Sequence, residues 1–198
     1  MLDSIFEAIY LVGFIAGSVI RRLATRQYRR HSAAISRETE LDKLLIMLAS
    51  IGMILMPLFY LLTPWLDFAD YCLPTWAGLI GAAVFAVSLW LLWRSHADLD
   101  GSWSPYLEIR EEHSLVTHGV FLHIRHPMYA AHWLWGIAQA LLLQNWIAGL
   151  AMLASFLPLY LVRVVREEEM MLESFGEEYR SYMNRTGRVI PRLWGERV

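Results

Sequence analysis

The stretch PMYAAHWLWGIAQALLLQNWIAGLAMLASFLPLYLV, residues 127–162, contains no Asp, Glu, Lys or Arg. As a single helix it would be about 54 Å long, whereas the hydrocarbon core of a bilayer is about 30 Å thick. The polar pair Gln144-Asn145 lies near its middle. We therefore expect two membrane-spanning helices, over about residues 127–143 and 147–163, joined by a tight turn at Gln144 and Asn145.

Three further apolar stretches precede this one, at about residues 5–20, 44–62 and 76–93. The second contains Pro57, which predicts a kinked helix because proline lacks the backbone N–H of a helical residue. The 198-residue chain is 57 % hydrophobic and 13 % aromatic, which is too apolar for a soluble domain and typical of a membrane protein with aromatic interface anchors. The sequence therefore predicts one all-α integral membrane domain, residues 1–198, with five transmembrane helices.

Positive charge alternates between the segments that connect these helices. Residues 21–43 and the tail from 163 are rich in Arg, and residues 94–126 contain three Arg, whereas residues 63–75 and the turn at Gln144-Asn145 contain no Lys or Arg. By the positive-inside rule, the N-terminus lies outside and the C-terminus lies in the cytoplasm. The net charge of −2 provides no overall field for nucleic acid, and a single cysteine, Cys72, excludes an internal disulfide.

A histidine-rich segment, HSLVTHGVFLHIRHPMY at residues 113–129, leads into the fourth predicted span. Pro127 suits the first position of a helix, whose N-terminal N–H groups attract anions. Arg125 and Tyr129 can be read either as interface anchors, facing lipid phosphates and the aromatic belt, or as part of a ligand site. The segment has no adjacent histidine pair and no HExxH, so we do not expect a metal site.

Arg163 and Glu167 are four residues apart, which places them on one face of a helix. They can form a simple ion pair, or they can provide a cation for an anionic substrate beside a carboxylate for a cofactor. Glu7, His132 and Gln139 are polar residues within predicted spans, a type of residue that is often functional.

Taken together, these motifs resemble those of the isoprenylcysteine carboxyl methyltransferase family, particularly its short five-span prokaryotic members. The pattern H-x-L-V-x-x-G-V-[YF]-x-x-x-R-H-P-x-Y is followed by R-x-x-x-E and by FGEEY at residues 175–179. The close resemblance covers residues 99–103, 113–133 and 163–191. The N-terminal spans are similar only in number and hydrophobicity.

The resemblance implies binding of S-adenosylmethionine in a cytoplasmic pocket formed by residues 94–126 and the C-terminal helix and tail, a cofactor region of about 94–198. Arg163 would face a substrate carboxylate and act with Glu167 as the catalytic pair. Phe121 replaces a tyrosine found in many members, and Tyr106 stands where some have glutamine, so no contact is expected from Tyr106. The implied cofactor-binding residues are His113, Ser114, Leu115, Val116, Phe121, His126, Pro127, Met128, Tyr129 and Glu167.

The expected reaction is O-methylation of the carboxylate of a lipophilic small molecule or prenylated peptide that resembles prenylcysteine, at the cytoplasmic face of a prokaryotic membrane. A carboxylate is ionised at neutral pH and needs positioning rather than a base, and an arginine such as Arg163 can clamp it. Two alternatives remain open. A phospholipid (ethanolamine) N-methyltransferase would share a related cofactor segment, and a non-catalytic membrane lipid-binding protein would keep the fold without turnover.

Overall fold

A computed structural model describes residues 2–28, 39–99 and 115–192. These residues form six α-helices. A π-helical turn, Ile51–Leu55, joins the second helix to the third, and 3-10 turns occupy Pro64–Ala69 and Gly119–Leu122. Within these ranges the only strand-like pairing is two isolated bridges, so the prediction of an all-α fold is confirmed. The helices are α1 Leu2–Tyr28, α2 Glu40–Ser50, α3 Met56–Leu62, α4 Thr75–Leu99, α5 Pro127–Leu143 and α6 Ala151–Arg185.

Three helical stretches are long and apolar enough to cross a membrane: Ile5–Arg26, Glu40–Leu62 and Thr75–Leu99. Their outer surfaces carry large apolar side chains, such as Val12, which is 68 % exposed, and Leu62, which is 79 % exposed. Extensive apolar surface of this kind is unfavourable in water and suits contact with lipid. The protein is therefore an integral membrane protein. Whether α5 and α6 also cross the bilayer stays a prediction.

Several helices extend beyond the predicted spans. The first span was placed at residues 5–20, but α1 continues to Tyr28, and α4 continues to Leu99 rather than ending at residue 93. Apolar content marks where a helix leaves the membrane, whereas the helix itself continues as long as its residues favour helical conformation. Arg, Ala and Leu all have high helix propensity, which accounts for the polar extensions.

The connection between α5 and α6 is wider than the predicted tight turn. Residues 144–150 are non-helical, so the predicted start of the fifth span at residue 147 is wrong by four residues. Asn145 stabilises this turn, because its Oδ1 accepts hydrogen bonds from the backbone N–H groups of Ile147 at 3.0 Å and Ala148 at 2.8 Å. Its Nδ2 donates to the Leu66 carbonyl at 2.7 Å and so ties the turn to the preceding loop.

The kink predicted at Pro57 takes the form of the π-helical turn, Ile51–Leu55, immediately before it. Pro57 has no N–H to donate, so a carbonyl in the preceding turn needs another partner. The carbonyl of Gly52 accepts a hydrogen bond from Gln139 Nε2 at 3.1 Å, and Gln139 Oε1 accepts one from the Tyr10 hydroxyl at 2.8 Å. Gln139 therefore links three helical segments, which gives this buried polar residue a structural role.

Helix α5 lies at the centre of the bundle. It packs against α4, α1 and α6, whereas α6 also packs against α2 and the π-helical turn. In the main core, the ring of Phe85 lies between those of Tyr10 and Trp135, at centroid distances of 5.5 and 5.0 Å. Because α5 is held on several sides, its N-terminal end is a rigid base for the residues at Arg125 to Tyr129.

Candidate functional site

The segment before α5 is fastened to the end of α4. Asp98 Oδ2 accepts a hydrogen bond from the backbone N–H of Val120 at 2.9 Å, and Arg94 forms an ion pair with the same carboxylate. Gly119 has φ +61°, and a Cβ at this position would lie 2.1 Å from Asp98 Oδ2. The glycine of the G-V motif is therefore required both by its conformation and by this close approach.

A break in α6 at Gly176 explains the FGEEY motif. Gly176 has φ 52° and ψ −123°, a conformation that is unfavourable for a residue with a side chain, so α6 bends at this glycine. After the bend, the Tyr182 hydroxyl donates a hydrogen bond to the carbonyl of Phe121 at 2.5 Å. Tyr179 is also buried, with 2 % of its surface exposed. The end of α6 thus packs onto the segment that precedes α5.

The C-terminal tail runs beside the entry to α5. The backbone N–H of Arg125 donates to the Gly187 carbonyl at 2.8 Å, and that of His126 donates to the Arg188 carbonyl at 2.8 Å. These bonds place the two parts of the predicted pocket in direct contact. Residues 115–126 and the described part of the tail therefore contact each other, while a cofactor pocket between them stays a prediction.

A buried carboxylate, Glu168, connects the two segments through two arginines. Arg125 Nε donates to Glu168 Oε1 at 3.1 Å, and a guanidinium NH2 of Arg188 donates to Glu168 Oε2 at 2.6 Å. The side chains of Arg125 and Glu168 are only 7 % and 5 % exposed. Arg125 therefore points into the protein, and the reading of this residue as an anchor for lipid phosphates is wrong.

Glu168 is ionised throughout the physiological range. Burial by itself would raise the pKa of Glu168, but the nearby His126 ring, the hydrogen bonds from Arg188 and the charge of Arg125 lower it to about 2. Glu168 was missing from the predicted site, although two signals were present. It is the second carboxylate of the run after Arg166, and Arg188 lies in the tail that follows FGEEY.

Three predicted site residues, Tyr129, Arg163 and His126, meet around a fourth, the neighbouring carboxylate Glu167. Glu167 Oε1 accepts a hydrogen bond from the Tyr129 hydroxyl at 2.5 Å and lies 3.6 Å from Arg163 Nε, while Oε2 lies 3.5 Å from His126 Nδ1. The side chain of Glu167 remains 24 % exposed, in contrast to the enclosed Glu168. Arg163 and Glu167 share a helix face as expected, and α5 supplies their two partners.

Aromatic rings form an apolar wall beside these charges. Tyr129 packs edge-on against Tyr160 at a centroid distance of 5.7 Å and lies 6.0 Å from Phe156, and its other face stacks with His126 at 5.6 Å. Trp133 packs against Phe156 from one turn further along α5. The cation of Arg163 and the carboxylate of Glu167 therefore lie beside an apolar surface.

The other predicted cofactor-binding residues lie in the segment before α5 and at its first turn, and the structure describes only some of them. His113 and Ser114, as well as Tyr106, lie outside the described residues. Leu115 and Val116 are half-buried before the 3-10 turn, and Phe121 is buried, with 8 % of its surface exposed. Pro127 is buried at the first position of α5, and the carbonyl of the half-buried Met128 accepts a hydrogen bond from His132 Nδ1 at 2.6 Å.

His126 should make the stability of the protein depend on pH. Burial lowers the pKa of His126, but the carboxylates of Glu167 and Glu168, 3.5 and 3.4 Å from its ring nitrogens, raise it above its ordinary value. A raised pKa stabilises the folded state at pH below about 6.5, and this contribution is lost as pH rises through the folded-state pKa. In thermal melts in detergent, the wild type is expected to lose more stability between about pH 6 and pH 9 than His126→Gln. The exposed His118 is the control, because His118→Gln should keep the wild-type slope. Parallel curves for the wild type and His126→Gln would contradict this expectation.

Comparison with known proteins supports the family that the motifs suggest. Residues 79–173 match the isoprenylcysteine carboxyl methyltransferase family. The protein-S-isoprenylcysteine O-methyltransferases of Tribolium castaneum and Homo sapiens are each 33 % identical over 91 residues, which cover 46 % of this chain and 32 % of the relative. That of Schizosaccharomyces pombe is 28 % identical over 83 residues, covering 42 % of this chain and 35 % of the relative. The match thus spans about a third of the length of these curated relatives.

The fold agrees with this assignment. A solved structure of a eukaryotic intramembrane Ras methyltransferase, an isoprenylcysteine carboxyl methyltransferase, superposes with a TM-score of 0.55 at 24 % sequence identity. The superposition covers 79 % of this chain and 55 % of that one. The motif segments, the matched residues and the fold thus agree in their similarity to the isoprenylcysteine carboxyl methyltransferase family.

Proposed function

We propose that this protein is an S-adenosylmethionine-dependent methyltransferase that esterifies the carboxylate of a lipophilic, prenylcysteine-like substrate. The observation that carries the proposal is the arrangement of Arg163 and Glu167 on one face of α6, with the Tyr129 hydroxyl 2.5 Å from Glu167 and an aromatic wall alongside. The relatives from beetle and human, named protein-S-isoprenylcysteine O-methyltransferases, support the same reaction class.

The residues at the end of α5 suit the proposed cofactor. S-adenosylmethionine carries positive charge on its sulfonium and amino groups, and the partly exposed carboxylate of Glu167 is a complementary group. His126 and Tyr129 present stacked rings, and Met128 and Val116 present apolar side chains that are half-buried. His113, Ser114, Leu115, Phe121 and Pro127 complete the set implied by the family. When bound, the cofactor supplies an electrophilic methyl group.

The protein's own residues would mainly position the reactants. Arg163 binds and orients the substrate carboxylate, since a guanidinium can donate two parallel hydrogen bonds to it. Tyr129 holds Glu167 in a fixed orientation through its hydroxyl. No side chain has to accept a proton, because a carboxylate is already ionised at neutral pH. N-methylation differs in this respect, because the amine must lose a proton and a side chain has to accept it.

We place the site at the cytoplasmic face of a five-span protein with its N-terminus outside. The alternation of arginine-rich and arginine-free segments supports this orientation. Helix α5 has 17 residues, about 25 Å, and the part of α6 before its bend, residues 151–175, is about 37 Å long, which exceeds the hydrocarbon thickness. Since α6 is uncharged up to Arg163, this residue marks the level at which α6 leaves the membrane. A polar cofactor and a lipid-soluble substrate can meet at that level.

A methyl-transfer assay tests the proposed function. The purified protein in vesicles is incubated with methyl-labelled S-adenosylmethionine and a farnesylcysteine analogue, phosphatidylethanolamine or short lipid acids. We expect label in a base-labile methyl ester of the farnesylcysteine analogue. Label in phosphatidylethanolamine would instead establish the N-methyltransferase alternative. If a thermal-shift titration detects no binding of S-adenosylmethionine, the result would favour the alternative of a non-catalytic lipid-binding protein.

Glu167→Gln is expected to weaken S-adenosylmethionine binding by about ten-fold or more, because a charged hydrogen-bond acceptor is replaced by a neutral one. Isothermal calorimetry on the detergent-solubilised protein measures the affinity. Glu169→Gln is the matched control, since Glu169 is exposed two residues further along the same helix. Unchanged affinity in Glu167→Gln would remove Glu167 from the cofactor site.

A further inference from the structure

Arg21 of α1 reaches the central helix close to the proposed site. Its guanidinium NH1 donates a hydrogen bond to Nε2 of His132 on α5 at 3.0 Å. One turn earlier, α1 crosses α5 at very short range, because a Cβ on Gly17 would lie 2.3 Å from the Trp135 ring. Gly17 and Arg21 are four residues apart and therefore share the helix face directed towards α5. The close crossing sets the position of the arginine.

The hydrogen bonds of His132 show that it holds Arg21 without neutralising its charge. His132 Nδ1 lies 2.6 Å from the carbonyl oxygen of Met128, which can only accept, so Nδ1 carries the proton. Nε2 is then the acceptor for Arg21, and the imidazole is uncharged. The ring is also stacked on Phe156 of α6, at a centroid distance of 5.4 Å and an interplanar angle of 18°. The guanidinium of Arg21 keeps its full positive charge.

A second cation lies within electrostatic reach. Phe156, on which His132 stacks, lies 6.0 Å from the Tyr129 ring, and the Tyr129 hydroxyl donates to Glu167, which lies 3.6 Å from Arg163 Nε. Among the residues that the structure describes, no carboxylate forms an ion pair with Arg21. Helix α1, which carries Arg21, and α6, which carries Arg163, both pack on α5, the helix that carries His132. Like charges held near each other repel, and an anion between them removes this cost.

We infer that Arg21 is a second binding residue for the substrate carboxylate, acting opposite Arg163, and that His132 is the positioning residue that holds it. The inference rests on the proposed function and extends it to α1. Arg21 lies outside the matched family segment, residues 79–173. Arg21 would bind one anionic group that presents two oxygen atoms. The substrate carboxylate is such a group. A phosphate of a neighbouring lipid could supply the same chemistry, and the experiment separates the two.

Steady-state kinetics with the farnesylcysteine analogue test the inference. Arg21→Gln is expected to raise the KM for this substrate by about ten-fold or more, with unchanged affinity for S-adenosylmethionine, since one charged hydrogen-bond donor is lost. Arg22→Gln is the control, because Arg22 is also exposed but lies about 100° further round the helix. An unchanged KM in Arg21→Gln, in a wild type that is active, overturns the inference and leaves the proposed function intact. A wild type that transfers no methyl group overturns both.

Two further arms identify the anion and the role of His132. The carboxamide of the farnesylcysteine analogue should compete more weakly than the carboxylate in the wild type, and this preference should shrink in Arg21→Gln. If the effect of Arg21→Gln appears only in vesicles with anionic lipid, and Arg22→Gln reproduces it, Arg21 binds lipid phosphate and the inference is wrong.

His132→Phe keeps the stacking on Phe156 but removes the hydrogen-bond acceptor for Arg21, so a rise in KM smaller than that of Arg21→Gln is expected. A KM equal to that of the wild type would remove the positioning role.

Discussion

Replacement of Arg163 by Ala is expected to abolish methyl transfer while leaving most of the cofactor affinity. The proposed carboxylate clamp disappears, and the reacting oxygen is no longer held within about 3–3.5 Å of the methyl group. Glu167 keeps the hydrogen bond from the Tyr129 hydroxyl, at 2.5 Å, so the carboxylate proposed to bind the cofactor stays in place. Binding and turnover should therefore separate in this variant.

The measurement combines labelled methyl transfer with calorimetry of S-adenosylmethionine binding. Arg163→Lys keeps the charge without the two parallel donors and should retain partial activity. Arg180→Ala is a control on the same helix, because the Arg180 side chain is 65 % exposed and far along α6 from Arg163. If cofactor affinity collapses together with transfer in Arg163→Ala, the division of roles between Arg163 and Glu167 is wrong, since Arg163 Nε lies only 3.6 Å from Glu167.

Glu168→Ala is expected to destabilise the protein by about 3–5 kcal/mol, because it leaves a buried positive charge without its partner. The charge concerned is that of Arg125, whose side chain is 7 % exposed and whose Nε donates to Glu168 at 3.1 Å. The same change releases Arg188 and with it the C-terminal tail from α6. We therefore also expect loss of methyl transfer, because the segment that leads into α5, which ends at His126, would no longer be held in place.

Unfolding in detergent and limited proteolysis of the tail measure this effect. Glu178→Ala is the control, since Glu178 is exposed beyond the bend of α6. The variant should unfold at a lower temperature and be cleaved faster near residues 186–192 than either the wild type or the control. A Glu168→Ala protein with wild-type melting and protease resistance would show that the two arginines do not depend on this carboxylate.

Much of the architecture could be predicted because the membrane imposes a local rule. A helix that crosses it must be apolar over about 20 residues, so the uncharged runs indicate the helices without knowledge of their neighbours. The helix that begins at Pro127 was predicted to the residue, and the Arg163–Glu167 pair followed from helical spacing alone. The end of α1 was not predictable in this way, because hydropathy reports on the membrane and not on the helix.

The sequence by itself determined the all-helical membrane fold, the family resemblance and the contacts that depend on helical periodicity. Only the tertiary structure decided which of two adjacent carboxylates is enclosed. Glu167 and Glu168 are consecutive on α6, but they point about 100° apart, so one remains partly exposed while the other meets Arg125 and Arg188. The rotation of α6 is set by its packing on α2, the π-helical turn and α5. That packing, together with the contact between Arg21 and His132 across 111 residues of chain, arises from surfaces that are brought together only on folding.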